Sequence, residues 1–175
     1  MKTLLTCLAL VSLLVLFPQF TNADSGISAG VRQHVTHSVF EELPFEDGDL
    51  TYTIGYEYHD KHGYWQLLVG YTPEVGIEEL GIDEIAVDYV ITPQLNLIIQ
   101  DGIFLAGTGI LGSYIETEED SDWTDVYWQL MLGFEIPLGA LRLELLAYYP
   151  FESWGEIDEF DFDDVEYGGS FKILF

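Results

Sequence analysis

The sequence segment HVTHSVF, residues 34–40, brings together residue types that could support nucleophilic catalysis: His34, His37 and Ser38. A histidine that reaches a serine hydroxyl can remove its proton and prepare the oxygen to attack an acyl group. In an extended strand, however, neighbouring side chains face opposite sides, so His37 and Ser38 would not share a proton directly. We therefore interpret these residues as polar groups of a strand and keep catalysis by His37 and Ser38 as the alternative.

Metal binding is the other chemistry that the residue types suggest. His59 and His62 lie at a short turn, but neither a cysteine nor another histidine is near them. Carboxylates are the ligands that calcium and magnesium prefer, yet the acidic segment EIDEFDFDD at residues 156–164 lacks the spacing of an EF-hand. We predict no cofactor and assign no metal ligands, with divalent cations at the acidic loops as an alternative.

The overall composition limits the classes of protein to which the chain can belong. The 175 residues carry a formal net charge of −26, yet 49% of them are hydrophobic and 15% are aromatic. A chain with this many apolar residues is not expected to be disordered. The charged and the apolar residues must therefore occupy different segments. With only 5 lysine and arginine residues, the chain offers no basic patch for phosphate groups, which argues against nucleic acid binding.

The first 23 residues have the order of a secretory signal peptide. Lys2 precedes a long apolar run, and the small residues that a signal peptidase requires end at Ala23, which predicts cleavage after that residue. Cys7 lies within the predicted signal peptide. Residues 24–175 are therefore predicted to form one exported domain without disulfides, which is typical of a bacterial envelope protein.

The rest of the chain alternates apolar and polar residues with the period of a β-strand. In LTYTIGYEYH, residues 50–59, every second residue is apolar or aromatic, which places one face of the strand in a nonpolar environment. Most of the predicted strands have about the 9–11 residues that a tilted strand needs to cross a bilayer. The eight predicted strands are 27–40, 50–59, 64–72, 84–91, 95–115, 125–136, 140–149 and 165–175.

Long acidic segments and short turns follow these strands in strict alternation. The short turns are DKHG, TPQ and IPLG at residues 60–63, 92–94 and 136–139. This order predicts an all-β, eight-stranded antiparallel up-and-down transmembrane β-barrel with two unlike ends. Within the fifth strand, Asp101-Gly102 is a strong hairpin signal. A hairpin there would disturb the alternation, so we predict a β-bulge instead.

Once each apolar face is turned outward, charged residues of both signs fall on the inner face of the barrel. A lysine or arginine facing lipid at the bilayer midplane would cost roughly 2–4 kcal/mol, whereas the interior of eight strands is filled by side chains that can pair there. We predict an ion-pair network in the lumen. Its predicted members are Arg32, Glu57, Glu84, Asp88, Arg142, Glu144, Glu166 and Lys172, and Glu135 shares their parity.

Outward-facing aromatic residues are predicted to lie at two levels of the barrel wall. Membrane barrels carry such aromatic belts where the lipid meets water on each side. The predicted belt near the long loops contains Tyr52, Tyr71, Trp128, Tyr149 and Tyr167. The belt near the short turns contains Tyr58, Trp65, Tyr89, Phe134 and Phe175.

The carboxyl-terminal segment EYGGSFKILF alternates apolar and small or polar residues and ends in phenylalanine. Together with the signal peptide, this segment resembles the small outer-membrane barrels of Gram-negative bacteria, the eight-stranded OmpA/OmpX-like and OmpW-like group. In that group the barrel assembly machinery reads a terminal strand of this kind. The resemblance covers the whole mature chain, and the residues that match the motif are Tyr167, Gly169, Phe171, Ile173 and Phe175.

The resemblance implies a monomer in the bacterial outer membrane, in contact with membrane lipid and lipopolysaccharide. We expect a polar lumen filled by side chains, acidic extracellular loops, and a role in envelope structure or surface interaction. Two alternatives are an enzyme that modifies lipid A, with His37 and Ser38 as the weak candidates, and a narrow ion-conducting channel. The alternative fold is a soluble lipocalin-like barrel, which would turn its apolar face inward.

Overall fold

A computed structural model describes residues 25–35, 43–75, 87–117, 120–139, 141–154 and 160–175. The predicted signal peptide, His37, Ser38 and Glu84 lie outside these residues. Within them, no helix has the length and hydropathy needed to cross a membrane.

Strands make up most of the described chain, as the alternating pattern predicts. There are ten in the described residues: β1 (Ser25–Gln33), β2 (Leu50–Asp60), β3 (Gly63–Val75), β4 (Val87–Asp101), β5 (Phe104–Leu111), β6 (Tyr114–Thr117), β7 (Ser121–Trp123), β8 (Tyr127–Leu138), β9 (Leu141–Phe151) and β10 (Glu166–Leu174).

Eight of these strands close into a barrel in which every neighbouring pair is antiparallel. Each of β1 to β4 pairs with the strand that follows it, β5 pairs with β8, and β8 to β10 pair in order. The first and last strands then pair with each other, from Gly26 opposite Leu174 to Gln33 opposite Tyr167. Closure leaves no unpaired edge in the wall. The prediction of an eight-stranded antiparallel up-and-down barrel is confirmed.

The predicted turn at residues 92–94 is wrong, because β4 runs without interruption from Val87 to Asp101. Pro93 suggested a turn, since proline cannot donate a hydrogen bond to a strand ladder. Its position in the barrel removes that difficulty. On one side of β4 the pairing with β6 ends at Ile91, and the pairing with β5 begins at Gln94. Pro93 therefore lies at the break between two partner strands, where no donor is needed from it.

The predicted β-bulge at Asp101-Gly102 is also wrong, and the structure has a hairpin there. Asp101 pairs with Phe104 across the turn, and Gly102 has a φ of 62°, a left-handed conformation that glycine adopts without a steric penalty. The predicted fourth strand and the first part of the predicted fifth strand form the single strand β4. The rest of the predicted fifth strand begins again after this turn as β5, so the barrel still has eight strands. Long loops and short turns still alternate, and we name the two ends the long-loop end and the short-turn end.

The barrel interior holds both apolar and polar side chains. Its apolar cluster consists of Tyr64, Ile98, Leu105, Met131, Leu146 and Tyr148. Polar and charged side chains fill the remaining space, and most have no more than a few percent of their surface exposed. Glycine makes room for one of them, because a Cβ on Gly109 would lie 2.1 Å from Oδ1 of Asn96.

Two residues of the predicted aromatic belts have different surroundings from those expected. The sequence predicts Tyr89 at the short-turn end, but the continuous β4 places it at the long-loop end, with its ring centroid 6.0 Å from that of Tyr71. Tyr149 faces outward but is buried, because Phe160 of the last long loop packs on it at 4.4 Å. At the short-turn end, Phe104 packs against Phe134 at 5.4 Å and was not predicted.

Candidate functional site

The most elaborate polar arrangement in the described residues is a hydrogen-bond network inside the barrel. Its members come from inward-facing positions, which recur at every second residue of a strand. Most of the barrel strands contribute to it, so the network joins residues that are far apart in sequence. It contains two charged clusters, the lysine cluster and the arginine cluster, connected by three amide side chains.

The lysine cluster surrounds Lys172, whose side chain is completely buried. Its Nζ lies 2.5 Å from Glu144, 3.2 Å from Glu135 and 3.4 Å from Glu57. The ammonium group also donates to the hydroxyl oxygen of Tyr64 at 2.7 Å, and that hydroxyl donates in turn to Glu144. One cation thus holds three carboxylates that would otherwise repel one another at short range.

Two of these carboxylates bind a second basic side chain. The carboxylate of Glu57 lies 2.9 Å from Nε2 of His59, within hydrogen-bonding distance. The ring of His59 stacks on Tyr64 with a centroid separation of 4.5 Å. Glu135 accepts a hydrogen bond of 2.6 Å from Arg142, a half-exposed residue near the short-turn end. Arg142 thus adds a second cation to the three acids around the lysine, and His59 gives Glu57 a further hydrogen-bonding partner.

The arginine cluster lies closer to the long-loop end. Arg32 donates from Nε to Glu166, and its guanidinium carbon lies 4.3 Å from the ring centroid of Tyr148. The other oxygen of Glu166 is 2.9 Å from Nδ1 of His34. All the members are buried. The ring and the carboxylate on either side of Arg32 replace the hydration that this cation loses.

Three amide side chains connect the arginine cluster to the lysine cluster in a chain of hydrogen bonds, and each residue donates to the next. Arg32 donates to Gln129 at 2.9 Å, Gln129 donates to Asn96 at 2.8 Å, and Asn96 donates to Gln66 at 3.0 Å. Gln66 then donates to Glu57 at 2.6 Å. A cation at one end and an anion at the other both favour this orientation of the amide dipoles, so each bond polarises the next.

At the long-loop end an apolar group closes the lumen. Phe45, from the segment between β1 and β2, stacks on the ring of His34 with a centroid separation of 3.8 Å and an angle of 8°. The same phenylalanine packs with Val90, and Leu43, Val87 and Ile115 lie against the pair. This part of the loop therefore enters the mouth of the barrel instead of extending into solvent.

Little space is left between the side chains of the network. Two cavities flank Arg32, and each has a volume of about 10 Å³, which is room for roughly one water molecule. Glu57, Asn96, Gln129 and Lys172 are entirely shielded from solvent. In the described part of the barrel, the buried side chains of the network thus occupy the lumen between the two charged clusters.

Six of the residues predicted for the ion-pair network take part in it. They are Arg32, Glu57, Arg142, Glu144, Glu166 and Lys172. Asp88 does not: it is exposed at a register shift of β4 between Val87 and Tyr89, above the closed part of the barrel. Glu84 lies outside the described residues.

The uncharged part of the network is not among the residues predicted from the sequence. Gln66, Asn96 and Gln129 each lie between outward-facing apolar residues of their strands, so the parity rule that placed the ions could have found them too. Tyr64 shares the inward parity of Gln66, but a tyrosine in a strand gives no signal that its hydroxyl takes part in a network, because aromatic residues are common in strands.

The histidines near the short turn and the residues of the carboxyl-terminal motif do not come together in one site. His59 is engaged with Glu57, while His62 is exposed in the turn, and the described residues contain no group of three potential metal ligands. In the carboxyl-terminal segment, Tyr167, Phe171, Ile173 and Phe175 are all exposed on the outer face. Gly169 lies between them with the same parity.

Removal of the buried lysine is expected to destabilise the barrel strongly. The substitution Lys172→Met would leave three carboxylates together, at a cost of about 3–5 kcal/mol in the free energy of unfolding. The measurement is urea unfolding of the protein folded in lipid vesicles. Lys61→Met, in an exposed turn, is the control and should change stability by no more than about 0.5 kcal/mol. Equal stability of the two variants would contradict the role of Lys172.

Comparisons with known proteins relate the chain to others through its fold. No protein-family model matches the sequence, and no curated protein matches it either. Among solved structures, the chain is similar to the crystal structure of Neisserial surface protein A, NspA. That match has 8% sequence identity and a TM-score of 0.45, and it covers 87% of this chain and 97% of the other.

Proposed function

We propose that the protein is an integral outer-membrane β-barrel whose lumen is closed by side chains. The observation that supports this proposal is that apolar side chains face outward and charged side chains face inward, the reverse of a water-soluble protein. Ile54 is 63% exposed on the outer wall, whereas Lys172 and Glu57 are completely buried inside. A barrel that folds in water would bury the isoleucine and expose the ions.

The exposed apolar residues form a band rather than scattered points. They come from all the barrel strands, and examples from different strands are Ile27, Ile54, Val69, Leu97, Ile110, Leu132, Leu145 and Phe171. Apolar patches of this extent are not stable against water on a monomer. The hydrocarbon core of a membrane provides the matching environment, because the closed wall leaves no strand edge exposed to lipid.

The two chain ends support the outer membrane as the location. A signal peptide is predicted at residues 1–23, and the carboxyl-terminal segment presents exposed Phe171 and Phe175 on the outer face. The terminal residue is also part of the closure, since its N–H donates to the carbonyl of Ser25 at 2.7 Å and its carbonyl accepts from Ser25 at 3.0 Å. Its side chain lies at the short-turn end of the wall.

The role we propose is structural or one of surface interaction, because a filled lumen cannot pass large solutes. The long loops carry exposed carboxylates, among them Asp122, Asp125 and Asp161. They would face the cell exterior beside lipopolysaccharide, and a wall of this kind needs no second copy. Membrane lipid, lipopolysaccharide and the barrel assembly machinery are thus the proposed partners of a monomeric protein.

An arginine on the wall tests whether lipid covers the apolar band. Ile54→Arg should lower the stability of the protein in bilayers by roughly 2–4 kcal/mol, because Ile54 lies at the middle of β2. Val126→Arg is the matched control, since Val126 is 62% exposed but lies between β7 and β8, near the long-loop end. Urea unfolding in vesicles measures both. Similar losses in the two variants would contradict a membrane-spanning wall.

The closed lumen is tested by electrical recording. The wild-type protein, reconstituted in planar bilayers, is expected to produce no steady channels, because buried charged and amide side chains occupy its lumen. Incorporation is verified by heat-modifiable migration of protein recovered from the same lipid. Discrete, long-lived conductance steps from correctly folded protein would instead favour the narrow ion channel.

We further propose that the terminal phenylalanine belongs to the signal for barrel assembly. Deletion of Phe175 is expected to reduce the amount of folded, heat-modifiable barrel in the membrane fraction far more than deletion of the loop residue Asp122. The reason is that Phe175 closes the ladder with Ser25, whereas Asp122 lies in β7, outside the wall. If both variants accumulate to the same level, the segment does not have this role.

A further inference from the structure

The last long loop packs part of its length against the outside of the barrel. Tyr149 and Phe151 face outward at the end of β9, yet Phe151 is only 3% exposed. Trp154 covers it, with centroids 5.0 Å apart in an edge-to-face arrangement, and also lies 5.5 Å from Trp128 of β8. Phe160 covers Tyr149 at 4.4 Å.

The covering residues themselves remain exposed. Phe160 packs on Phe162 at 4.9 Å, and Phe162 is 80% exposed, the largest value among the exposed hydrophobic residues of the described chain. We name these six residues the loop aromatic patch: Trp128, Tyr149, Phe151, Trp154, Phe160 and Phe162. The loop thus hides one pair of aromatic rings and presents another set to its surroundings.

We infer that the loop aromatic patch binds the outer boundary of the membrane, where lipid chains meet their headgroups. This inference rests on the proposed function. The patch continues the apolar wall without a break, because Leu145 lies below Tyr149 on the same strand and exposed Tyr167 lies opposite Ala147 on the next. When the wall is in a membrane, the covering rings therefore meet lipid at its surface.

The composition of the loop limits how deeply it enters. Exposed Asp161 and Asp163 alternate with Phe160 and Phe162, and Glu152 precedes Trp154. Carboxylates remain in water, while aromatic rings favour the interface between water and hydrocarbon. Alternation of the two types suits a segment that lies along the interface. A soluble partner would instead have to approach a patch that sits against the membrane.

Single spin labels can measure the depth of the loop aromatic patch and of the barrel wall in a membrane. Labelling one site at a time is possible because the only cysteine of the sequence is Cys7. In a Cys7→Ser background, the variants are Phe162→Cys, Ile54→Cys for the wall, and Trp123→Cys for the exposed hairpin formed by β6 and β7. The labelled proteins are folded in phosphatidylcholine vesicles. Collision rates with oxygen, which concentrates in lipid, and with a water-soluble nickel complex are then compared.

The label at Phe162→Cys is expected to show a higher ratio of oxygen to nickel collisions than the label at Trp123→Cys, and a lower ratio than that at Ile54→Cys. A ratio equal to that at Trp123→Cys, with a lipid-exposed label at Ile54→Cys, would overturn the inference and leave the proposed function intact. Spin–spin broadening at Phe162→Cys that disappears on dilution with unlabelled protein would assign the patch to a second copy. A water-exposed label at Ile54→Cys would refute the proposed function itself.

Discussion

Charge buried in a barrel with little room for water is the constraint on which the rest of the structure depends. Lys172 and the glutamates around it have no solvent to stabilise them, so each charge needs a protein partner at short range. The strands meet this need because they bring inward positions from distant parts of the sequence to one level. Burial would destabilise a single ion, but it is tolerated for a group in which each carboxylate contacts a cation at short range.

The same constraint specifies the register of the barrel. A shift of any strand by one residue would exchange its inner and outer faces, turning Glu57 or Lys172 towards the outside and apolar residues into the polar network. The amide chain adds a further requirement, because Gln66, Asn96 and Gln129 connect only when β3, β4, β5 and β8 are aligned as observed. The network therefore disfavours alternative pairings as well as stabilising the observed one.

The long loops share an acidic composition but not a common structure. In the first, Phe45 turns inward and stacks on buried His34. In the last, Trp154 and Phe160 turn outward and pack on the wall. Both arrangements shield aromatic surface, yet one closes the lumen and the other enlarges the outer apolar surface. Acidic residues around them keep the remaining loop surface compatible with water.

The strand pattern of the sequence was sufficient for the number of barrel strands, but not for all of their boundaries. Two errors compensated: the turn expected at residues 92–94 is absent, and the hairpin at Asp101-Gly102 is present. Both concern backbone hydrogen bonding. Whether Pro93 interrupts a strand depends on which neighbour lies beside it, and local sequence contains no information about that neighbour.

Alternation along each strand by itself determined the barrel class and the inward parity of Arg32, Glu57, Glu144, Glu166 and Lys172, because side chains of an extended chain alternate by geometry alone. Parity says which side of the wall a residue faces, not what it touches. Only the tertiary structure decided the partners of Lys172, the direction of the amide chain and the outward packing of the last loop. These contacts depend on the relative height of strands distant in sequence, which closure of the barrel establishes.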